Sequence, residues 1–239
     1  MRELDSVTQL TFREHLDRNG MRVDYAYSLE AADRQCVQVL LLEDLITMLA
    51  RERVQGALVE CGVFTGGASA FMLRSAMRNL DPLPPYWGFD SFEGMPHATP
   101  SDGEKAVQWL VDGTALDGKL EATTVNRADY EIVTRYLKET GYPHVNVVRG
   151  WFQNTLPVSR AAIGPIALLR LDGDFYESTK VCLNELAGQV VQGGVIVFDD
   201  YGAFEGCRKA ADEFLSTDRR FSPVFRFDAH QAWIIRVDR

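Results

Sequence analysis

Four aspartates stand in two closely spaced pairs, and they carry the strongest chemical signal in the sequence. Asp172 and Asp174 follow the apolar run LLRL, and Asp199 and Asp200 follow the apolar run VIVF. If both runs are strands that end at one edge of a sheet, the four carboxylates repel one another and are costly to desolvate unless a cation lies among them. Oxygen ligands suit a hard divalent cation such as Mg²⁺, and three aspartates leave coordination positions open for substrate oxygens. The pattern therefore predicts a divalent metal site with one carboxylate to spare.

The spacing within the first pair suggests how the work is divided. Side chains alternate along an extended segment, so Asp172 and Asp174 can point the same way, with Asp172 on the metal and Asp174 as a base. The alternative is structural, because aspartate is a favoured N-cap residue and helices are expected to begin near Glu177 and Phe204. Both interpretations stay open on the sequence alone.

A glycine-rich turn, ECGVFTGGAS at residues 60–69, follows the apolar run at 57–61. Glycines let the backbone turn tightly and approach a ligand, and the helix that follows offers unpaired N–H groups. Phe64 stands at the second glycine position of a dinucleotide fingerprint, so a pyrophosphate fits poorly. A ligand with a carboxylate and an ammonium group, such as the methionine end of S-adenosylmethionine, fits better. A purely structural strand-to-helix turn is the alternative.

Two further positions fit an adenosine-containing ligand. Asp90 ends the run YWGFD, where an acid can accept both hydroxyls of a ribose; alternatively, its side chain caps a turn. Trp151 and Phe152 follow the run HVNVV, where they could lie along an adenine ring or belong to the core.

The elements that must position these residues alternate between apolar runs and helical patterns. Five runs read as buried strands, at 57–61, 86–90, 144–148, 166–172 and 194–200. Helices are predicted at 33–53, 67–79, 127–139, 177–190 and 204–216. The runs at 221–227 and 231–237 are separated by only three residues, which predicts an antiparallel hairpin. Together they predict an α/β, Rossmann-like fold, with helices on both faces of a mostly parallel seven-stranded sheet that ends in this hairpin.

The remaining segments complete the expected organisation. Residues 1–55 are interpreted as an N-terminal helical and lid segment, and residues 56–239 as the catalytic part of a single domain. The Gly- and Pro-rich stretch at 91–119 predicts a long loop or second lid.

Composition excludes several classes of protein. The chain has 239 residues, of which 46% are hydrophobic, and a net charge of −9, which argues against a nucleic-acid partner. A signal-peptide pattern and an uncharged apolar run of membrane-spanning length are both missing, so we expect a cytoplasmic protein with no membrane association. The four cysteines lie far apart, which predicts buried free thiols. The four histidines lack the partners of a catalytic dyad; His97, in the lid stretch, is the one that a closing lid could bring to the site.

Five segments, followed by KAADEF, resemble the macrocin O-methyltransferase family in order and spacing. They are VECGVFTGGAS, WGFDSFEGMP, RGWFQNTLP, LRLDGDFYEST and GGVIVFDDYG. The resemblance runs from about residue 56 to the C-terminus. It implies a class I methyltransferase fold, S-adenosylmethionine as methyl donor, a requirement for Mg²⁺, and a hydroxyl of a deoxysugar on an antibiotic-type natural product as acceptor.

The resemblance also implies a role for each matched residue. Asp172, Asp199 and Asp200 would bind the metal, and Asp174 would be the base. The residues expected to bind the cofactor are Glu60, Gly62, Ser69, Asp90, Ser91, Trp151 and Asp172. The family often reads GVWRGG where this chain reads GVFTGG at 62–67, so a contact from that arginine is not carried over.

Other expectations remain beside this one. A small-molecule glycoside is the expected acceptor, and a homo-oligomer is possible. The alternatives are a metal-dependent catechol or caffeoyl-type O-methyltransferase and, more distantly, a glycosyltransferase that uses a D-x-D motif.

Overall fold

A computed structural model describes residues 29–104, 106 and 125–238, and within this part of the chain the seven predicted strands form one sheet. The strands are β1 (Ala57–Cys61), β2 (Tyr86–Asp90), β3 (Val145–Arg149), β4 (Ile166–Leu171), β5 (Val190–Phe198), β6 (Phe225–Arg226) and β7 (Ala232–Ile235). Their order in the sheet is β3-β2-β1-β4-β5-β7-β6. The first five pair in parallel, and β7 is antiparallel to both β5 and β6. The predicted fold class is confirmed.

Helices cover both faces of the sheet. They are α1 (Leu29–Arg51), α2 (Gly67–Asn79), α3 (Tyr130–Glu139), α4 (Phe152–Ile163), α5 (Tyr176–Leu186) and α6 (Glu205–Thr217). Every residue of β1 and β4 is buried, as expected for strands that are covered on both sides. A hydrophobic core lies on each face of the sheet, and successive strand residues face opposite cores. In β1, Leu58 packs with α1 and α2, whereas Val59 packs with α4 and α5.

The structure corrects one part of the helix prediction. No helix was predicted between β3 and β4, where the structure has α4. Pro157 lies inside this helix, and its N-cap residue, Trp151, makes no side-chain cap hydrogen bond. Proline inside a helix removes a hydrogen bond and normally marks a break. Burial of Leu156 and Ile163 in the core compensates for this loss.

The C-terminal hairpin is shorter than predicted. Only Phe225–Arg226 and Ala232–Ile235 form strands, and an isolated bridge joins Phe221 to Arg236. The Asp228 side chain accepts hydrogen bonds from the backbone N–H groups of the two residues before β7 and so holds the turn.

The predicted N-terminal segment is described only in part. From Val39 onward, α1 packs into the same core as α2 and the sheet, while residues 1–28, which include His15, lie outside the described residues. The lid stretch is described at 91–104 and 106, where it includes a short 3₁₀ helix at Pro100–Asp102. Among the described residues, we find no helix that is long and apolar enough to cross a membrane.

The topology decides where a ligand can bind. Strands β2 and β3 lie on one side of β1, and β4 and β5 lie on the other. In open α/β sheets, ligands bind beyond the carboxyl ends of the strands at this switch point. The glycine turn, Asp90, Trp151 and both aspartate pairs all follow strands at that edge.

Candidate functional site

A cavity of about 590 Å³ opens at the carboxyl edge of the sheet. Its walls come from the turns that follow β1 to β4, from the lid stretch and from the first residues of α4 and α5. Five of the residues predicted to bind the cofactor line it: Gly62, Asp90, Ser91, Trp151 and Asp172.

The predicted acidic cluster forms beside this cavity. One carboxylate oxygen from each of Asp172, Asp174 and Asp200 lies within 4.8 Å of the others. Asp174 reaches the cluster from a left-handed backbone conformation with a φ of 59°, which costs an aspartate about 1–3 kcal/mol. Oδ2 of Asp200 is buried without a hydrogen-bond partner. An all-oxygen donor set with an unpartnered oxygen fits a hard divalent cation.

Burial and mutual repulsion raise the pKa of these carboxyls. Burial, with the neighbouring charge of Asp199, raises the pKa of Asp174 to about 7. The pKa values of Asp172 and Asp200 are raised well above the usual range, again mainly by burial. The cluster therefore disfavours its own ionisation, and a cation among the carboxylates would remove that penalty.

Asp199 lies next to the cluster but is held by different partners. Its Oδ1 accepts hydrogen bonds from Arg170 Nη2 and Gln231 Nε2, both at 2.7 Å. The sequence predicted Asp199 as a metal ligand alongside Asp172 and Asp200, whereas the structure gathers Asp174 with those two. A ligand role for Asp199 stays a prediction.

Glu60 and Ser69 are buried and hydrogen-bonded to each other. Glu60 is fully buried, and its carboxylate accepts hydrogen bonds from the hydroxyls of Ser69 and Tyr86. It also forms an ion pair with Arg170. Neither Glu60 nor Ser69 lines the cavity, and their direct contact with the cofactor stays a prediction. Glu60 points into the sheet's core, where its charge needs partners.

Asp90 caps the turns around it, which is one of the two roles that the sequence left open; the other, ribose binding, stays a prediction. Its Oδ2 accepts the backbone N–H groups of Val63 and Phe64 at 2.9 and 2.8 Å, and its Oδ1 accepts that of Phe92 at 2.7 Å. Burial raises its pKa despite these bonds. Asp90 thus fixes the glycine turn against the end of β2 while it also lines the cavity.

Gly62 is required by the close approach of two strands. Its φ is 103°, and a Cβ at this position would lie 1.9 Å from the carbonyl oxygen of Asp172. The glycine therefore lets the turn after β1 lie directly against the backbone of Asp172, at the end of β4.

The described part of the lid stretch forms one wall of the cavity. Met95 and Ala98 pack against Phe175, just before α5. The buried carboxylate of Asp102 accepts the backbone N–H of Tyr176 at 2.6 Å, which anchors the lid to the start of that helix. His97 lines the cavity, and its Nδ1 is buried without a hydrogen-bond partner.

Sequence reasoning assigned no role to Arg170, although it is the largest fully buried side chain of the described residues. The available signal was a single arginine inside the otherwise apolar run IALLRL. Tyr201, which directly follows the second aspartate pair, is buried and donates its hydroxyl hydrogen to Oδ1 of Asp212 at 2.7 Å. Cys61, Cys182 and Cys207 are buried free thiols, as predicted.

Comparisons with known proteins agree with this arrangement. The family described as Macrocin-O-methyltransferase (TylF) matches residues 22–236. A curated relative from Streptomyces olivaceus, 8-demethyl-8-(2,3-dimethoxy-alpha-L-rhamnosyl)-tetracenomycin-C 4'-O-methyltransferase, is 34% identical over 184 residues, which are 76% of this chain and 66% of the relative. The chain spans just under two thirds of the length of the curated relatives that it matches.

Solved structures share the fold. The O-methyltransferase NovP superposes with a TM-score of 0.67 at 28% identity, over 85% of this chain and 81% of that one. TomG, an O-methyltransferase from Streptomyces achromogenes solved in complex with S-adenosylmethionine, gives a TM-score of 0.52 at 16% identity, over 98% of this chain and 91% of that one. The second likeness concerns the fold alone. Since the family match covers nearly the whole sequence and the sheet has the corresponding topology, this chain belongs to the macrocin O-methyltransferase family.

Proposed function

We propose that the protein transfers a methyl group from S-adenosylmethionine to a hydroxyl of a sugar, a deoxysugar of a glycosylated natural product, with Mg²⁺ in the site. The observation that carries this proposal is the convergence of Asp172, Asp174 and Asp200 beside a cavity that begins at the glycine turn after β1. The family and the rhamnosyl substrate in the name of the Streptomyces olivaceus relative support the sugar acceptor.

The cofactor would lie across the glycine turn. Gly62 lets the backbone approach the methionine end, Asp90 faces the ribose, and Ser91 and Trp151 contribute further cavity wall. The ring of Phe152 packs closely against Gly173: a Cβ at residue 173 would lie only 3.2 Å from Cε2 of the ring. Both residues line the cavity next to Asp172 and Asp174.

The acidic cluster would hold Mg²⁺ through Asp172 and Asp200, with Asp199 as the third predicted ligand. When bound, the ion supplies positive charge that lowers the pKa of a neighbouring acceptor hydroxyl. The donor set fits this role because one carboxylate oxygen from each of Asp172, Asp174 and Asp200 lies within 4.8 Å of the others, and oxygens are the ligands that Mg²⁺ prefers.

Asp174 would take the proton. As the acceptor oxygen attacks the methyl carbon opposite sulfur, an O–C bond forms, the S–C bond breaks and its electron pair stays on sulfur. The hydroxyl proton passes to a carboxylate oxygen of Asp174, leaving a methyl ether and S-adenosylhomocysteine. Asp174 must be ionised to do this, and its pKa of about 7 leaves it partly ionised at neutral pH. The lid excludes water from the reacting groups.

The family assignment leaves the D-x-D glycosyltransferase alternative without support. The catechol-type alternative differs in its acceptor, which would be planar and aromatic. The cavity wall carries both polar side chains, such as Thr99 and Asn126, and apolar ones, such as Met95 and Phe175. The preference for a sugar therefore rests on the family and on the rhamnosyl substrate in the relative's name.

An acceptor screen tests the proposal. Methyl-labelled S-adenosylmethionine is incubated with the protein, Mg²⁺ and either deoxysugar glycosides or catechols, with the Asp174→Asn variant as control. We expect label only in the glycosides, and strongly reduced label with the variant. Label found only in the catechols would refute the sugar acceptor and favour the catechol-type O-methyltransferase. Wild-type-level transfer by the variant would remove Asp174 as the base.

Two expectations need separate measurements. A homo-oligomer stays a prediction, which light scattering of the purified protein checks. The division at residues 55 and 56 also stays a prediction, and limited proteolysis would locate the boundary.

A further inference from the structure

Arg170 occupies the centre of the sheet beneath the site. Its side chain is only 2% exposed, and its strand, β4, lies between β1 and β5. Nη1 lies 2.7 Å from Oε1 of Glu60 and 2.9 Å from Oδ2 of Asp172, and Nη2 lies 2.7 Å from Oδ1 of Asp199. One guanidinium therefore joins carboxylates from three adjacent strands.

Both terminal nitrogens of the guanidinium point at carboxylates, and this orientation leaves its third nitrogen, Nε, unpaired. Nε of Arg170 is buried without a hydrogen-bond partner. A buried unpaired donor costs about 1–3 kcal/mol. A fold that only needed to neutralise one buried glutamate could satisfy that N–H as well, so the orientation follows the positions of the three acids.

The carboxylates are also held from their other sides. Gln231, just before β7, donates to the same Asp199 oxygen as Arg170 does. Tyr86, on β2, donates to Glu60 at 2.7 Å. Each contact comes from a different strand or strand end, so the network fixes the relative positions of the strand ends that surround the cavity.

We propose that Arg170 is a positioning residue for the metal site: it orients the carboxylates of Asp172 and Asp199 so that the acidic cluster binds its divalent cation. The inference rests on the proposed function. Residues that orient metal ligands without touching the metal change affinity or activity about 10- to 100-fold when they are replaced. Lysine cannot replace arginine here, because a single ammonium cannot reach three carboxylates at fixed angles.

The test is Mn²⁺ binding, measured by electron paramagnetic resonance on chelator-treated full-length protein. The variant is Arg170→Lys. The matched control is Arg236→Lys, because Arg236 donates to the carbonyls of Gly188 and Val190 where β5 begins, at the opposite edge of the sheet. Circular dichroism checks that each variant is folded.

We expect Arg170→Lys to bind Mn²⁺ about 10- to 100-fold more weakly than wild type, and Arg236→Lys to bind it normally. Methyl transfer by Arg170→Lys should recover at raised Mn²⁺, which a merely destabilised protein would not show. Unchanged Mn²⁺ affinity in folded Arg170→Lys would overturn the proposal.

A second variant keeps the test decisive if Arg170→Lys does not fold. The double variant Glu60→Met and Arg170→Met removes both members of the buried ion pair, a change that folds tolerate better than the loss of one partner. It leaves Asp172 and Asp199 without the guanidinium, so it should bind Mn²⁺ about 10- to 100-fold more weakly, and unchanged affinity would then overturn the proposal. If wild type itself bound no Mn²⁺, the metal-dependent function would fail. Tight binding by wild type and both variants would refute only the positioning role.

Discussion

Glu60→Gln should destabilise the protein strongly although it changes only one atom of a side chain. The glutamate is fully buried, pairs with Arg170 at 2.7 Å and accepts hydroxyls from Ser69 and Tyr86. Removing one partner of a buried ion pair costs about 3–5 kcal/mol. Glutamine retains an oxygen for the hydroxyls, so we expect the lower end, about 3 kcal/mol. For a chain of this size that lowers the melting temperature by about 6–12 °C.

The control is Glu43→Gln. Glu43 pairs with Arg78 at the same distance, 2.7 Å, but the two side chains are 31% and 40% exposed. Exposed pairs contribute about 0–1 kcal/mol. For both variants and wild type, the free energy of unfolding is measured by urea titration and the melting temperature by thermal unfolding, in the absence of ligand. If Glu60→Gln lost no more stability than Glu43→Gln, the buried network would not be an ion-pair network of the kind described.

Four further predictions concern the site. Gly62→Ala should weaken binding of S-adenosylhomocysteine in calorimetry, because its Cβ would clash with Asp172. It should also lower stability by more than the roughly 1–3 kcal/mol of left-handed strain. Gly188→Ala, whose Cβ meets nothing within 4 Å and which lies outside the cavity, should do neither; equal effects would refute the steric argument. Asp90→Asn should weaken cofactor binding, since one amide oxygen cannot accept three backbone N–H groups, and unchanged affinity in folded protein would remove it from the cofactor site. Asp172→Asn should lose metal affinity and be partly rescued by excess Mg²⁺, whereas Asp174→Asn should lose turnover by about 10²- to 10⁴-fold without rescue; the reverse pattern would exchange their roles. In metal-free protein, the pKa of Asp174 is raised from 3.8 to about 7, so the folded state binds the proton more tightly and the free energy of unfolding should fall as pH rises from about 4 to about 7; urea titrations in which Asp174→Asn keeps the same slope would contradict this.

The sheet was predictable because its strands are mostly apolar on both faces, as in a parallel sheet that is covered on both sides. In the runs at 57–61 and 166–171, only Glu60 and Arg170 interrupt the apolar residues. Helix α4 was not predictable, since the signal of Pro157 outweighs a weak pattern and only tertiary burial of Leu156 and Ile163 compensates for it.

The residue types of the site were predictable from the sequence, but the hydrogen bonds and ion pairs among them were not. Residue type and spacing identified Asp172 and Asp200 as neighbours, because both follow adjacent strands. The direction of Glu60 was not predictable, because a motif at the end of β1 does not reveal which way an alternating side chain faces. The register that pairs Glu60 with Arg170 across β1 and β4 is a long-range property. It becomes visible only once the strand order is known.

The dependence of methyl transfer on a divalent metal tests the central claim most directly. Purified protein is freed of metal with a chelator, and transfer of labelled methyl from S-adenosylmethionine to a deoxysugar glycoside is followed as Mg²⁺ is returned. We expect no turnover in the chelator and full recovery with Mg²⁺, because the carboxylates of Asp172, Asp174 and Asp200 converge where an acceptor hydroxyl must lose its proton. Full turnover in exhaustive chelator would contradict the account.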